Sequence, residues 1–321
     1  MLNYAKTQNL LIIGAAGGLA QITIGLLSKH YPHIHLVGVD SRSMDHLPKK
    51  PEVTFIQMSY TRGNFEKIFR DYSFDAVFHL GRLSHTKEND KYTLTQRLDL
   101  NVMGTSRILD LSLKFKVQKI ITLSTYHVYG ALADNPVFIN EDAPLRASIK
   151  YPELRDVTEM DQVATSWMWK HQGEIETLVM RPCNIIGPQI NNSITRYLRS
   201  RYAPVPIDYN PMFQFIHEFD MARVLIQSME SVPTGIYNIA PSESISLRKA
   251  RELIGAPALP MPISLLSPAA KLFKYVWAYP DYLLDYVRFS CLISSSSLGK
   301  YLGNDLYRFK TREALELLKL K

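Results

Sequence analysis

Two periods alternate along the chain. Leu10–Ile13 is an unbroken apolar run that stops at a glycine, and it predicts a short buried strand. Beyond it Leu19, Ile22, Leu26 and Leu27 recur at helical spacing, so a helix follows the turn. The alternation then repeats. Ile34–Val39 predicts a second strand, Val53–Met58 a third, and Phe65–Tyr72 a helix. Ala76–Leu80 predicts a fourth strand. Leu94, Leu98, Val102, Thr105, Leu109 and Leu113 then put one apolar face on a long helix over Tyr92–Phe115. Gln118–Leu123 predicts a fifth strand, Tyr151–His171 another long helix, and Glu176–Met180 a sixth strand. Strands alternating with helices in this way predict an α/β fold, a doubly wound parallel sheet covered on both faces.

Beyond Arg181 the pattern changes, with prolines at 182, 188, 204, 206 and 211. Gly235–Ala240 (GIYNIA) predicts a strand that returns to the sheet. The remainder is rich in aromatics, among them Phe273, Tyr275, Trp277, Tyr279, Tyr282 and Tyr286. Most such residues are expected to be core. The pattern divides the chain into a dinucleotide-binding part, 1–183 with return segments at about 215–240, and a smaller C-terminal substrate-binding lobe, 184–214 and 241–321. That lobe is expected to cover the carboxyl ends of the strands, where ligands of such sheets bind.

The turn after the first strand carries chemistry. In Gly14-Ala-Ala-Gly17-Gly18-Leu-Ala20 a strand runs into glycines and then into a helix, which aims free amides and a positive helix end at one point. Gly14 allows the tight turn, Gly17 admits a phosphate to the backbone, and Ala20 lets the helix pack close. Asp40 ends the second apolar run 20 residues beyond Ala20, placed to hold the adenosine ribose hydroxyls of a Rossmann-type cofactor and to repel a 2′-phosphate. This favours NAD over NADP. Arg42, which suits a 2′-phosphate, is the rival.

Bulk properties narrow the class further. The 321 residues are 46% hydrophobic and 21% charged, and the net charge is +7 with the basic residues scattered. That excess fits an anionic small molecule and does not require nucleic acid. Two cysteines, Cys183 and Cys291, form neither a disulfide framework nor a zinc site and suggest a reducing, cytoplasmic setting. No signal pattern opens the chain. The longest uncharged stretch, Leu253–Ala270, is interrupted by Pro257, Pro260, Pro262 and Pro268, so no membrane span is expected. His30, His33 and His35 straddle a predicted helix end and strand start, with no spacing that suits a metal.

A second candidate site lies in Ser124-Thr125-Tyr126-His127-Val128-Tyr129-Gly130 and in Tyr151-Pro-Glu-Leu-Arg155 with Glu159. A tyrosine and a cation four apart on a helix share a face, and the cation would lower the tyrosine pKa from its usual value of about 10 toward neutral. Such a tyrosine moves protons, and Thr125 would bind a substrate oxygen whose charge changes. A routine surface pair is the plain alternative.

With these motifs in order, the chain resembles the extended short-chain dehydrogenase/reductases, the group of nucleotide-sugar epimerases and dehydratases. GAAGGLA is similar to the family's GxxGxx[GA] loop, VFHLGR to its HLAA strand end, and Asn101-Val-Met-Gly104-Thr105 to its NxxGT. STYHVYG resembles SSxxVYG, and YPELR resembles YxxxK. RPCNIIGP resembles RxxNxxGP, FIHEFDMARV resembles FIHVxDxAxA, GIYNIA resembles GxYNxx, and FKTREAL resembles the closing segment. The resemblance implies Thr125, Tyr151 and Arg155 as the catalytic set. It implies cofactor contacts from Gly14, Ala16, Gly17, Gly18, Leu19, Asp40, Ser41, Arg42, Ser59 and Tyr60. It adds Leu80, Gly81, Arg82, Asn101, Leu123, Ser124, Tyr151, Arg155, Pro182, Asn184 and Ile185 to those contacts. Substrate would be met by Ser84, His85, Thr125, Tyr126, Asn184, Arg201 and Phe213.

Three positions depart from the family. Arg155 stands where it has lysine, which keeps a charge but changes the geometry available to the nicotinamide ribose. Phe213 replaces an arginine that grips a diphosphate, with Arg196, Arg199 or Arg201 as substitutes. Ser59 stands where an aspartate is frequent. The implied activity is hydride transfer between NAD and a sugar or related hydroxy or carbonyl compound, in a homodimer paired through the two long helices. The alternatives are a catalytically weak dinucleotide-binding regulator and a reductase of a more apolar carbonyl compound.

Overall fold

A computed structural model describes residues 2–44, 52–83, 89, 91–201, 203–272, 282–303 and 306–320. Its centre is a seven-stranded sheet. The strands are β1 (Asn9–Ile13), β2 (His35–Asp40), β3 (Val53–Gln57), β4 (Ala76–His79), β5 (Lys119–Leu123) and β6 (Glu176–Pro182), with β11 (Gly235–Ile239) at the far edge. Between β6 and β11 come β7 (Asn184–Ile186), β8 (Ala203–Pro206), β9 (Met212–Phe213) and β10 (Phe215–His217), which pair outside this sheet. The order across the sheet is β3-β2-β1-β4-β5-β6-β11, and every neighbouring pair is parallel. This is the expected doubly wound Rossmann arrangement, and GIYNIA does return to the sheet.

Continuous apolar runs make these strands because both faces are covered. Leu10 and Ile12 pack into one apolar cluster, and Leu11 and Ile13 into the other. The first cluster runs on without a break into the later chain, through Phe213, Tyr282, Tyr286 and Leu315. The second is closed by the helices Arg62–Asp71, Gly104–Lys114 and Arg155–Lys170, with Trp167 at its rim.

Two helices differ from expectation. The helix predicted over Tyr92–Phe115 starts at Leu94 under a Thr93–Gln96 capping box and is interrupted by a π-helical turn at Asp99–Met103. That turn carries Asn101, which is one of the places where a wide turn often marks a working residue. The helix predicted from Tyr151 begins only at Arg155. Tyr151 precedes Pro152, whose ring disfavours helical backbone in the residue before it, and Tyr151 is extended with φ −123° and ψ 92°.

The strand order reverses between β1 and β4, and this switch point is where a crevice opens at the carboxyl ends of such sheets. Gly14 leaves β1 and Gly81 leaves β4 on either side of it. Among the described residues no helix is long and apolar enough to cross a membrane.

Candidate active site

The crevice is shaped by backbone. Gly14 has φ +84°, and a Cβ there would lie 2.5 Å from Gly81 Cα, so the two loops meet main chain to main chain. Tyr60 packs beside Gly81, with its ring against Phe65 and its hydroxyl 3.4 Å from the Val39 carbonyl. Gly17 caps the first helix, Gly18–His30, and its amide donates to the Gly14 carbonyl at 2.9 Å. The residue under closest backbone approach is Gly18, where any side chain would collide with the Gln189 carbonyl. Gly18 and Leu19 open the helix, and their amides have no acceptor within it.

Asp40 is buried at the end of β2. One carboxylate oxygen accepts from the Ala16 amide at 3.0 Å, the other from the Arg42 amide at 2.9 Å. The Arg42 guanidinium also reaches Asp40, with Nε 3.2 Å from the carboxylate. The two rivals for the ribose are therefore paired with each other. Ser41 offers its carbonyl to Gln57, and Ser59 is exposed and bonded to Asn64. Leu80 is partly buried against the core. Glycines, helix start and buried carboxylate fit the adenosine and pyrophosphate half of a dinucleotide.

The expected tyrosine–cation pair does not form. Because Tyr151 lies ahead of the helix, it and Arg155 do not share a helical face. The Tyr151 hydroxyl donates toward Asp285 at 2.8 Å and the Ala131 carbonyl at 3.1 Å. Burial, then the Asp285 carboxylate, raise its pKa, which is opposite to the depressed value expected from a neighbouring cation. Arg155 points outward, 55% exposed, and pairs with Glu159 at 2.5 Å. Neither lines the cavity beside β5 and β6.

That cavity encloses about 90 Å³ and is lined by Arg82, Leu123, Ser124, Thr125, His127, Leu154, Val157, Pro182, Cys183, Asn184, Ile185, Asn192, Ser193, Ile194, Tyr282 and Leu283. Thr125 Oγ1 lies 2.8 Å from His127 Nδ1, and the His127 ring meets those of Tyr282 and Tyr286. Burial pushes the Tyr282 hydroxyl up to about 12, while its hydrogen bond to Ser193 and the Arg82 charge act the other way. Leu154 and Val157 stand at the cavity wall where a tyrosine and its cation were expected. Of the lining residues, His127 sits inside a motif that named its neighbours but not itself. Tyr282 comes from a distant segment whose aromatics read as core.

Several predicted residues support the wall from behind. Ser124 donates to Asp161 at 2.5 Å, and Asp161 takes a two-pronged bond from Arg181, at 2.6 and 2.9 Å. Arg181 also donates to Tyr129 and to the Glu141 carbonyl. Burial works against the Arg181 charge, but Asp161 outweighs it, so its pKa is raised. Asn101 accepts from the Leu83 amide at 2.7 Å and donates to buried Asp156 at 2.7 Å, which fixes the loop after β4. Asn184 lines the cavity, but its side chain is bonded to Tyr126 and to the Gln214 carbonyl. Tyr126 is buried, and its hydroxyl serves that bond.

The remaining substrate candidates separate. Phe213 is buried and stacked on Phe215, so it belongs to the core. Arg201 is exposed in the turn after the helix Ser193–Arg199. On that helix Arg196 Nε and Arg199 Nε and Nη2 are buried without a hydrogen-bond partner among the described residues. Ser84, His85 and the aromatics from Phe273 to Tyr279 lie outside the described residues. Of the histidines near β2, His33 contacts the Tyr4 carbonyl, and His35 contacts Asn9 and Thr54.

The model of the NAD dependent epimerase/dehydratase family matches residues 10–240. The chain belongs to this family. Among relatives of this epimerase/dehydratase chain, an uncharacterized protein of Mycobacterium tuberculosis is 23% identical over 255 residues, 78% of this chain and 67% of that protein. A UDP-glucuronate 4-epimerase of Thermodesulfobacterium geofontis is 26% identical over 224 residues, 66% of each chain. The fold is also that of a dTDP-glucose 4,6-dehydratase of Bacillus anthracis solved with NAD. That match has a TM-score of 0.75 and 15% identity, and it covers 98% of this chain and 96% of the other.

Proposed function

We propose that this family member binds NAD(H) across the switch point and a sugar-like small molecule in the adjoining cavity, without using Tyr151 as its proton-transfer group. The position of Tyr151 carries this reading, since its hydroxyl is bonded to Asp285 and Ala131 and lies off the cavity wall. Gly14, Gly17, Gly18, Leu19 and Asp40 would hold the adenosine and pyrophosphate, and Pro182, Asn184 and Ile185 the nicotinamide end. When bound, NAD supplies a hydride acceptor beside the cavity. Relatives that act on nucleotide sugars support a substrate of that class, with Arg196 and Arg199 gripping its diphosphate. Both cysteines are buried and free, in keeping with a reducing compartment.

A second reading is a working epimerase or dehydratase whose proton transfer runs through Thr125 and His127. The 2.8 Å contact between them favours it, because an imidazole within hydrogen-bond reach can take the hydroxyl proton. In it Thr125 polarises the reacting oxygen and His127 exchanges the proton.

Titration of wild type, Tyr151→Phe and Arg155→Lys with NADH and NADPH, beside turnover of dTDP-glucose and UDP-glucuronate, tests both readings. NADH is expected to bind more tightly than NADPH, because Asp40 opposes a second phosphate. Both variants are expected to keep wild-type affinity, and Tyr151→Phe to lose about 1 kcal/mol of stability with its hydrogen bond. A fall in turnover of ~10²–10⁴-fold in Tyr151→Phe would return that residue to the mechanism. Turnover that survives there but falls in His127→Gln supports the second reading.

We infer a homodimer formed through the helices Gly104–Lys114 and Arg155–Lys170, next to which Met103 and Trp169 stay 50% and 53% exposed. Trp167 is spent within the chain, donating to Asp110 at 2.9 Å. Light scattering at micromolar concentration is expected to give twice the chain mass, and a single-chain mass would refute the dimer.

A further inference from the structure

β7 and β10 run side by side in parallel, with Ile186 opposite His217. The residues that follow them, Gly187 and Glu218, are therefore brought together at one end. Glu218 opens the helix Glu218–Ser231, with His217 as its N-cap, and is 1% exposed. A helix start favours a carboxylate, which helps this one to stay buried. Among its interactions, Oε2 accepts from the Gln189 amide at 2.9 Å. The same carboxylate fills the space that a Cβ on Gly187 would need. The Gly187 carbonyl in turn accepts from the Ile190 amide at 3.2 Å, which turns the chain at this point. The Gln189 carbonyl then lies against Gly18, the first residue of the helix Gly18–His30. Neither Gly18 nor Gly187 has a positive φ, so both positions answer a need for room and not for unusual backbone. Gly18 makes room for Gln189, and Gly187 makes room for Glu218. The same stretch of chain also reaches the cavity, through Ile185, Asn192 and Ser193, and Asn192 Nδ2 donates to the Ile185 carbonyl at 2.8 Å.

We propose that Glu218 is a positioning residue: it braces the segment Gly187–Gln189 against the glycine turn and so slows the release of a dinucleotide seated there. This rests on the dinucleotide reading given above. Gly18 and Leu19 present the amides that open the helix, and the braced segment is the chain that borders them. A ligand leaves more often when the wall beside it moves more freely, so the brace acts on the rate of departure more than on the rate of arrival. Glu218 does this from behind, through the Gln189 amide.

Stopped-flow displacement of NADH by excess NAD tests this on the full chain, for wild type, Glu218→Ala, Glu218→Asp and Glu218→Gln. Glu218→Ala is expected to release NADH about tenfold faster, the scale of one lost hydrogen bond to a charged group, with an unchanged association rate. Glu218→Gln keeps an acceptor oxygen at the same reach and is expected to restore release to within about threefold of wild type. Glu218→Asp keeps the charge but shortens the reach, so its release is expected to rise by more than about threefold. It carries the test if melting shows that Glu218→Ala does not fold. Amide hydrogen exchange without cofactor is expected to quicken at Gln189 in Glu218→Ala and Glu218→Asp, and not in Glu218→Gln. Variants that melt lower yet release NADH at the wild-type rate overturn the proposal, because Glu218 is then a residue of stability alone. So does an effect confined to association, or fast release in Glu218→Gln equal to that in Glu218→Ala. In those cases wild type still binds NADH and the dinucleotide reading stands. A wild-type chain that does not bind NADH would sink that reading and this inference with it.

Discussion

Asp161→Ala is expected to destabilise the protein by about 3–5 kcal/mol, the range for breaking a buried ion pair from one side. Asp161 and Arg181 are 0% and 2% exposed, so neither is relieved by water when the other is removed. The substitution strands the Arg181 charge, which among the described residues keeps Tyr129 and the Glu141 carbonyl as partners. It also strands the Ser124 hydroxyl, the residue before Thr125. Urea unfolding should show a lower midpoint, with soluble yield falling alongside it. Asp161→Asn keeps the shape and one acceptor oxygen, so it should fall between the two. A loss below about 1 kcal/mol in Asp161→Ala would mean that water reaches Arg181, and that the pair does not brace the loop carrying Thr125.

Gly14→Ala is the second large effect, a loss of more than about 4 kcal/mol of stability or of folded protein altogether. Two penalties act together. A residue with a Cβ at φ +84° pays the left-handed strain of roughly 1–2 kcal/mol. The added carbon also lands 2.5 Å from Gly81 Cα and 2.6 Å from Gly81 N, and both are backbone atoms with no rotamer to yield. Separating the loops widens the crevice at the switch point, so any protein that does fold should bind NADH weakly. The readouts are thermal melting and NADH titration. A variant that melts within a few degrees of wild type would show that these loops do not meet as described. Gly17→Ala is the control for the melting readout alone, since its Cβ would lie 3.2 Å from a single carbonyl oxygen and its backbone is ordinary.

The sheet was legible in the sequence because strands buried on both faces must be apolar throughout, and six of the seven lay between helical stripes. The seventh, GIYNIA, was legible too, as a short apolar piece in a proline-rich region. The glycine turn and the buried Asp40 were legible because they depend on backbone and on one position at a strand end. Helix boundaries were less so, although Pro152 already carried the information that Tyr151 stands outside the helix. Matching YPELR to a tyrosine–lysine pattern counted residues and passed over that proline. A four-residue spacing brings two side chains together only if helical backbone links them.

What only the tertiary structure decided is which groups share the cavity. Thr125 and His127 meet Arg82 from another strand end and Tyr282 from a segment more than a hundred residues later, and no local pattern encodes such a meeting. Burial also decided charge. Phe213 was absorbed into the core, Arg42 turned onto Asp40, and Tyr151 was given to Asp285. The sequence by itself determined the glycine turn between the first strand and helix, because such a turn is built from backbone that every residue carries and glycine merely exposes. The character of the cavity depended on side chains converging from separate stretches between Arg82 and Leu283, and where they point is settled by packing.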